Sequence, residues 1–479
     1  MTRRLHVIIL AIACLVAAAA QLSLAANISI SQSTLSPEAA TIAAAGEVLA
    51  GSPIALSTAA LPDVAPFDII QGVNTSIPWP MLKGQPSRVS FNGFETTITK
   101  ANAQQLGLAW VGIMGDLVDT SSPAVLNGIV YIGSFDGRLY AFRANGCGQF
   151  QCQPLWSGAT GNAILSSPAI TNGVVFVGSE DHKLYAFPAN GCGKADCSPL
   201  WTATTGGAID SGPMVTPTVV YVGSEDHNFY AFPTLGCGQP TCAPLWSVAT
   251  GAGVNSSPAL VNNVLYFGSQ DGKLYAVDAR GCGRSTCQPL WTAQVGSMIF
   301  ASSPAVSNGV VYIASFNEIN STDSRLYAFN ANGCGQPTCQ PLWTAPAGDF
   351  VASSPAVAKG FVYLGSGDDL LYAYNANGCG QPTCDFLWRG IAVGAQAALL
   401  SAPEVANGLV YVGENNGMVE VFDAAGCGQV ICLPVTQLEA QNERIVSSSP
   451  AVVNGTVYFG SANQFEAPIG RLYVYKLQR

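Results

Sequence analysis

From about Trp79 to the end of the chain, apolar residues come in short runs of four to six, alternating with polar ones and broken by Gly, Asn, Asp and Pro. A period of two between such breaks predicts half-buried antiparallel strands joined by tight turns, not helices. The runs also repeat. One unit, S-S-P-A-V-x-N-G-x-V-Y-x-G-S-x-D-G-x-L-Y-A-F-x-A-N-G-C-G-Q-x-x-C-x-P-L-W-x-A-x-x-G, recurs with its first cysteine at 147, 192, 237, 282, 334, 379 and 427. In the copy around Cys282 the predicted strands are Ser257 to Val261, Leu265 to Ser269, Lys273 to Asp278 and Pro289 to Ala293. The breaks between them are Asn262-Asn263, Gln270-Asp271-Gly272 and the loop from Cys282 to Cys287, all rich in residues that tolerate positive φ. Four antiparallel strands in roughly 45 residues make a propeller blade.

Counting strands by type gives the number of blades and the way the ring closes. Outer-strand tryptophans stand at 110, 156, 201, 246, 291, 343 and 388, with a degenerate eighth copy around Val435 to Leu438. Sets of the first three strands begin at Ser121, Ser166, Ser211, Ser256, Ser302, Ser353, Leu400 and Ser447. The series opens on an outer strand and ends on a third strand, Leu472 to Tyr475. The expected fold is therefore all-β, an eight-bladed propeller of four-stranded antiparallel blades. Leu106 to Trp110 closes it as the outermost strand of the last blade, which leaves no open sheet edge at the seam.

The same count organises the cysteines. Each of seven third-to-fourth hairpins carries C-x-x-x-x-C, so disulfides are expected for Cys147–Cys152, Cys192–Cys197, Cys237–Cys242, Cys282–Cys287, Cys334–Cys339, Cys379–Cys384 and Cys427–Cys432. Metal or iron–sulfur ligation needs four convergent thiolates, whereas pairs on successive blades diverge at the rim. Closing a loop of about six residues stabilises by roughly 2 kcal/mol at best.

The fifteenth cysteine, Cys14, falls in a different kind of segment. Arg3 and Arg4, the apolar run Val7 to Ala20 and the site Ser23-Leu24-Ala25 read as a signal peptide over residues 1–25. That run is shorter than the ~20 residues of a membrane span. The chain is thus expected to be secreted, extracellular or periplasmic, where disulfides persist. Residues 26–78 are rich in Ala, Ser and Thr and are expected to form a flexible leader, with one helix from Ser36 and Pro37 to about Ala50. Residues 79–479 form one domain.

Composition removes whole function classes. The 19 Lys and Arg against 29 Asp and Glu, a net charge of −10, leave no cationic surface for nucleic acid. Three histidines are too few for multi-histidine metal arrays or haem arrays. Sequons stand at Asn27, Asn74, Asn255, Asn320 and Asn454.

Candidate chemistry is expected on the face opposite the disulfides, formed by the second-to-third turns and the inter-blade loops. Glu180-Asp181-His182 and Glu225-Asp226-His227 occupy such turns on neighbouring blades. They read either as solvated acidic turns, with His where other blades have Gly137 and Gly272, or as a divalent metal site. Asp116, Asp119, Asp210, Asn255, Asp349, Glu404 and Arg444 are the polar members assigned to the inter-blade loops. Asp210 and Asp349 are the candidates there for a general base; as plain surface residues they would cap turns. The long turns Asn317 to Ser324 and Asn463 to Gly470 are candidates for recognition.

The repeat resembles that of the quinoprotein (PQQ-like) propeller superfamily, whose members include PQQ-dependent alcohol dehydrogenases and the outer-membrane assembly lipoprotein of the Bam complex. The opening segment Ile98-Thr99-Lys100-Ala101-Asn102-Ala103-Gln104-Gln105-Leu106-Gly107-Leu108-Ala109-Trp110 is similar to the I-T-x-x-N-x-x-x-L-x-x-x-W start of the dehydrogenases. The resemblance implies eight blades and, for a dehydrogenase, PQQ and Ca²⁺ as cofactors. The chain departs from that pattern: it has no adjacent Cys-Cys, no C-x-x-C-H, no matching Glu, Asn and Asp set for Ca²⁺, and a disulfide loop where the dehydrogenases carry Asp-x-x-Thr-Gly. Two functions follow, a monomeric binding or scaffold propeller for a protein or glycan partner, and a PQQ-dependent alcohol or polyol dehydrogenase.

Overall fold

The computed structural model describes residues 79–296, 298–316, 324–394, 398–440, 448–461 and 470–478. The signal peptide, the leader with its helix, Asn27, Asn74, Asn320, Arg444 and nearly all of the two long turns lie outside the described residues. The rest is an eight-bladed propeller. Blade 4 is representative, with strands Ala259–Val261, Val264–Gly268, Lys273–Asp278 and Trp291–Gln294. Blade 8 is closed as expected: Leu106–Ile113 pairs antiparallel with Arg471–Leu477, with a bulge between Leu108 and Trp110.

The conserved look of the unit has a bond-by-bond explanation. The first serine of each S-S pair accepts the N–H of the Gly or Ala four or five residues into its blade's second strand, at 2.7–3.3 Å in all eight blades. The second serine binds sideways instead. Its hydroxyl accepts the matching backbone N–H of the preceding blade, as Ser167 does from Ser122 at 2.9 Å, and Ser122 closes the circle by accepting from Ser449. Gly212 and Ala402 interrupt this girdle because they bring no hydroxyl. Farther out, the second-strand Tyr of six blades donates to the Ala carbonyl of the next blade's A-N-G loop, as Tyr131 does to Ala189. Each outer tryptophan packs on the glycine of that same loop: a side chain on Gly191, at φ +75°, would come within 2.6 Å of Trp156. The cores accordingly lie between blades, such as the cluster of Tyr131, Trp156, Ile170 and Phe187 between blades 1 and 2.

All seven disulfides are present. Each cystine loop also reaches beyond its own blade. The loop lies beside the outer strand of the preceding blade and pairs with it in parallel, as Thr241 and Cys242 do with Thr202 and Ala203. Seven outer strands donate an N–H into such a loop, among them Ser247 to the Ser285 carbonyl at 2.8 Å. Blades 2, 3, 4, 6 and 8, expected to hold four strands, thus gain a short fifth at the outer edge, while blades 1 and 5 are met by a single bridge, Ser157 with Asp196 and Thr344 with Thr383; either way an edge otherwise open to pairing is covered. Blade 7 receives none, because blade 8 has no cystine.

Residues 79–92, which match no copy of the repeat, line the inside of the ring. Trp79 pairs with Val125 of blade 1, and the carbonyls of Pro80, Pro86, Ser87, Val89 and Ser90 accept the N–H of Ile170, Leu260, Val306, Val357 and Val405 in blades 2, 4, 5, 6 and 7. Asn92 Nδ2 donates to the Val452 carbonyl of blade 8. For blade 3 the connection is Arg88, whose guanidinium donates to the carbonyls of Gly212 and Pro213, and also to those of Pro258 and Leu82, at 2.8–3.1 Å. Lys83 Nζ donates to the Pro355 carbonyl at 2.6 Å. Lys83, Arg88 and Ser90 all take positive φ, the cost of turning this sharply inside the ring. The segment leaves over the disulfide face, where Glu95 accepts from Gly455 and the Ile98 carbonyl from Asn407.

Candidate functional site

The opposite face carries the second-to-third turns, G-S-x-D-G in the unit. The Asp of that turn is held by the third-strand tyrosine: Tyr185 donates to Asp181 at 2.5 Å and Tyr230 to Asp226 at 2.7 Å. The same carboxylates accept N–H groups from the inter-blade loops, Gly161 for Asp181 and Gly206 for Asp226. His182 and His227 are exposed, at φ +69° and +67°, where other blades have glycine. Asp181 and Asp226 therefore work as turn anchors, and their histidines are exposed to solvent. Among the described residues, no group of three or more His, Cys, Asp or Glu is arranged to hold a metal ion.

The variable residue before that Asp behaves differently, since its side chain meets the turns and inter-blade loops of the neighbouring blades. Going round the ring it is Phe135, Glu180, Glu225, Gln270, Phe316, Gly367 and Asn415. Gln270 Nε2 donates to Glu225 Oε1 across the blade boundary at 2.9 Å. The Phe316 ring lies 6.2 Å from both Phe300 and Phe350, which come from the flanking inter-blade loops. Phe350 also fills the space over Gly367. The mouth of the channel is thus acidic over blades 2 to 4 and aromatic over blades 5 and 6.

Asp210 sits at the acidic end. It makes no hydrogen bond, its Oδ1 is buried, and burial together with Glu225 and then Glu180 pushes its carboxyl up to about 8. Asn255, at the same register in the next blade, has a buried Oδ1 that is likewise without a partner. The other expected mouth residues are committed locally. Asp349 accepts the N–H of Phe350, Asp116 that of Leu117, and Asp119 is half-buried in the loop before blade 1.

Glu404 corrects the sequence reading, which assigned it to an inter-blade loop. It is the first residue of the first strand of blade 7 (Glu404–Ala406), fully buried where seven blades carry Ala or Met. The S-A-P-E-V of this copy holds the same register as S-S-P-A-V, so its glutamate falls within the strand. Burial raises the Glu404 carboxyl well above its usual range against the pull of the Ser90 hydroxyl and Lys83, and burial lowers Lys83, helped by Arg88.

Blade 7 hides a second departure. Glu414 and Glu420 replace the Ser and Tyr of the unit, both fully buried. Burial, then a hydrogen bond with Glu420, pushes Glu414 up to about 10. Glu420 Oε1 accepts from Val393 N–H and Gln437 Nε2 at 2.9 and 2.6 Å. These residues are visible in the sequence only when every copy is aligned position by position.

Two cavities among the described residues hold about 100 and 160 Å³ and lie between blades on the disulfide side, lined by residues such as Asn127 and Tyr458 or Phe361 and Asp423. Small-molecule sites usually offer roughly 300 Å³ or more.

Residues 153–332 and 286–472 match the family described as outer membrane protein assembly factor BamB, a PQQ-like repeat family. The chain belongs to this family. Among solved structures, this PQQ-like propeller is similar to BamB from Moraxella catarrhalis, at 17% identity over 77% of this chain and 99% of that one, TM-score 0.55. Quinohemoprotein alcohol dehydrogenase from Comamonas testosteroni matches at 13% identity over 84% of this chain and 81% of that one, TM-score 0.62. A europium-containing methanol dehydrogenase matches at 13% identity over 84% and 98%, also with TM-score 0.62. At such identities the likeness shows the fold. No curated protein matches the sequence.

The family raises the question of PQQ, a flat tricarboxylate whose binding calls for cationic donors and an open slot. In this propeller, Lys83 and Arg88 already donate to channel carbonyls, and the mouth residues described are carboxylic, amide or aromatic. These residues do not fit the cofactor.

Proposed function

We propose that this propeller is an exported, non-catalytic binding module that holds a protein partner on its loop face. The observation that carries this reading is the segment 79–92: it bonds to the innermost strands round the channel and spends its own cations, Lys83 and Arg88, on their carbonyls, so the chemistry left for recognition is the mouth above it. The seven disulfides suit an oxidising compartment. Among the described residues, no helix is long and apolar enough to cross a membrane. BamB is named for its part in outer-membrane assembly, which supports a protein partner by analogy of fold.

The test is titration of the purified protein with PQQ and CaCl₂, followed by dye reduction with a panel of primary alcohols and polyols. The expected result is no saturable PQQ binding and no turnover. Alcohol-dependent dye reduction that requires PQQ would replace this reading with the dehydrogenase.

A further inference from the structure

Resting on the scaffold reading, the chemistry of the mouth narrows what the partner presents. Glu180, Asp210, Glu225 and Gln270 follow one another along blades 2 to 4, and Phe300, Phe316 and Phe350 continue the arc over blades 5 and 6. The acidic end is short of donors. Asp210 Oδ1 and Asn255 Oδ1 are both buried acceptors without a hydrogen bond, and no ion pair among the described residues reaches Asp210, Glu180 or Glu225. A buried acceptor with no donor is costly, and a guanidinium or ammonium group supplies several donors together with the opposite charge. The aromatic end offers ring faces and edges for an apolar or aromatic side chain.

We propose that the loop-face mouth binds an extended basic segment of a partner protein, seating an Arg or Lys side chain on Asp210, Asn255 and Glu225 and an aromatic side chain, two residues away, on Phe316 and Phe350. In an extended strand, residues two apart point to the same side, so alternate side chains of one stretch can face the arc together.

Calorimetric titration of the full folded protein at pH 8 and low salt tests this with three peptides: acetyl-Arg-Ser-Phe-Ser-Arg-amide, the same peptide with Glu for Arg, and the same with Ser for Phe. Saturable binding is expected for the first. The serine peptide should bind about fivefold more weakly and the glutamate peptide not at all. The Asp210→Asn, Glu225→Gln double variant should weaken the first peptide at least tenfold, with unchanged circular dichroism and melting no lower than the parent's, and Phe316→Ala about fivefold, with unchanged circular dichroism. No saturable binding at millimolar peptide, equal binding of the glutamate peptide, or indifference to the double variant overturns the proposal. Such a failure combined with silent PQQ assays leaves the scaffold reading standing with its partner elsewhere, whereas PQQ-dependent turnover removes both.

Discussion

The two faces of the ring are built from the same repeat but use it in opposite ways. On the disulfide face every blade but the last repeats the glycine that carries a neighbouring tryptophan and the cystine loop on the preceding blade's edge, and five of the eight first-to-second turns are Asn-Gly. On the loop face the Asp of each turn is mostly kept while the residue before it changes from Phe to Glu, Gln, Gly and Asn. The first face repeats because each group there is the bonding partner of the next blade, so one change leaves two blades mismatched. The second can vary because the tyrosine and the loop N–H hold the turn, leaving the neighbouring side chain free to serve recognition. On the proposed reading, framework and recognition are separated by one residue in sequence.

The hardest blow to this division falls on the non-repeated segment that ties all the blades together. Arg88→Met keeps the apolar stem and deletes four hydrogen bonds, leaving the carbonyls of Leu82, Gly212, Pro213 and Pro258 buried without donors. At about 1 kcal/mol or more for each orphaned acceptor, the loss is at least about 4 kcal/mol. Urea denaturation measures it. A loss within 1 kcal/mol would show that the segment rests on the ring without holding it.

A smaller effect is expected on the loop side of blade 7 and should depend on pH. Glu414 is pushed up to about 10 in the fold, against the ordinary carboxyl range in the unfolded chain. Its contribution is complete below about pH 4.5 and is lost as pH rises through the folded value, because the unfolded state then gives up the proton more readily. Glu414→Gln keeps a neutral group able to donate to Glu420. The variant should therefore gain on the parent by roughly 3 kcal/mol between pH 5 and pH 8, within the limit of about 1.4 kcal/mol per pH unit. Parallel stability curves for parent and variant across that range would mean that the two carboxyls do not hold a proton between them.

Blade number, closure by Leu106 to Trp110, the seven cystines and the packing of Trp and Tyr between blades are all legible in the sequence, because each depends on spacing within a repeat. Asp210 was visible as well, as a polar residue of the inter-blade loop just before Ser211. The lining of the channel by Trp79 to Asn92 was not. That segment bonds through its backbone carbonyls, which any residue supplies, and its two cations carry no pattern that marks them as buried. Glu404 was misplaced for a related reason: a glutamate in an otherwise apolar strand reads as loop until its register against the other copies is fixed. The role of the variable turn residue escaped notice because adjacent side chains at a turn, Glu225 and Asp226, serve opposite purposes.

The mildest perturbation separates two accounts of the cystines. If a disulfide acts only on the unfolded chain, replacing Cys282 and Cys287 by Ser costs roughly 2 kcal/mol by loop entropy and leaves the native protection pattern alone. The structure gives that loop a second role, since Ser285 accepts the N–H of Ser247 and Thr286-Cys287 pairs with Ser247-Val248 at the edge of blade 3. Loosening the loop should therefore speed amide exchange at Ser247 in the neighbouring blade, at least tenfold, while Thr436 to Glu439 of blade 7, which has no such cover, keeps its rate. Faster exchange confined to residues 282–287 would return the cystines to staples of their own hairpins. Faster exchange at Ser247 makes each one a clasp between two blades, and explains why a ring of eight has only seven: the last blade takes its outer strand from the start of the chain and has no hairpin there to carry a cystine.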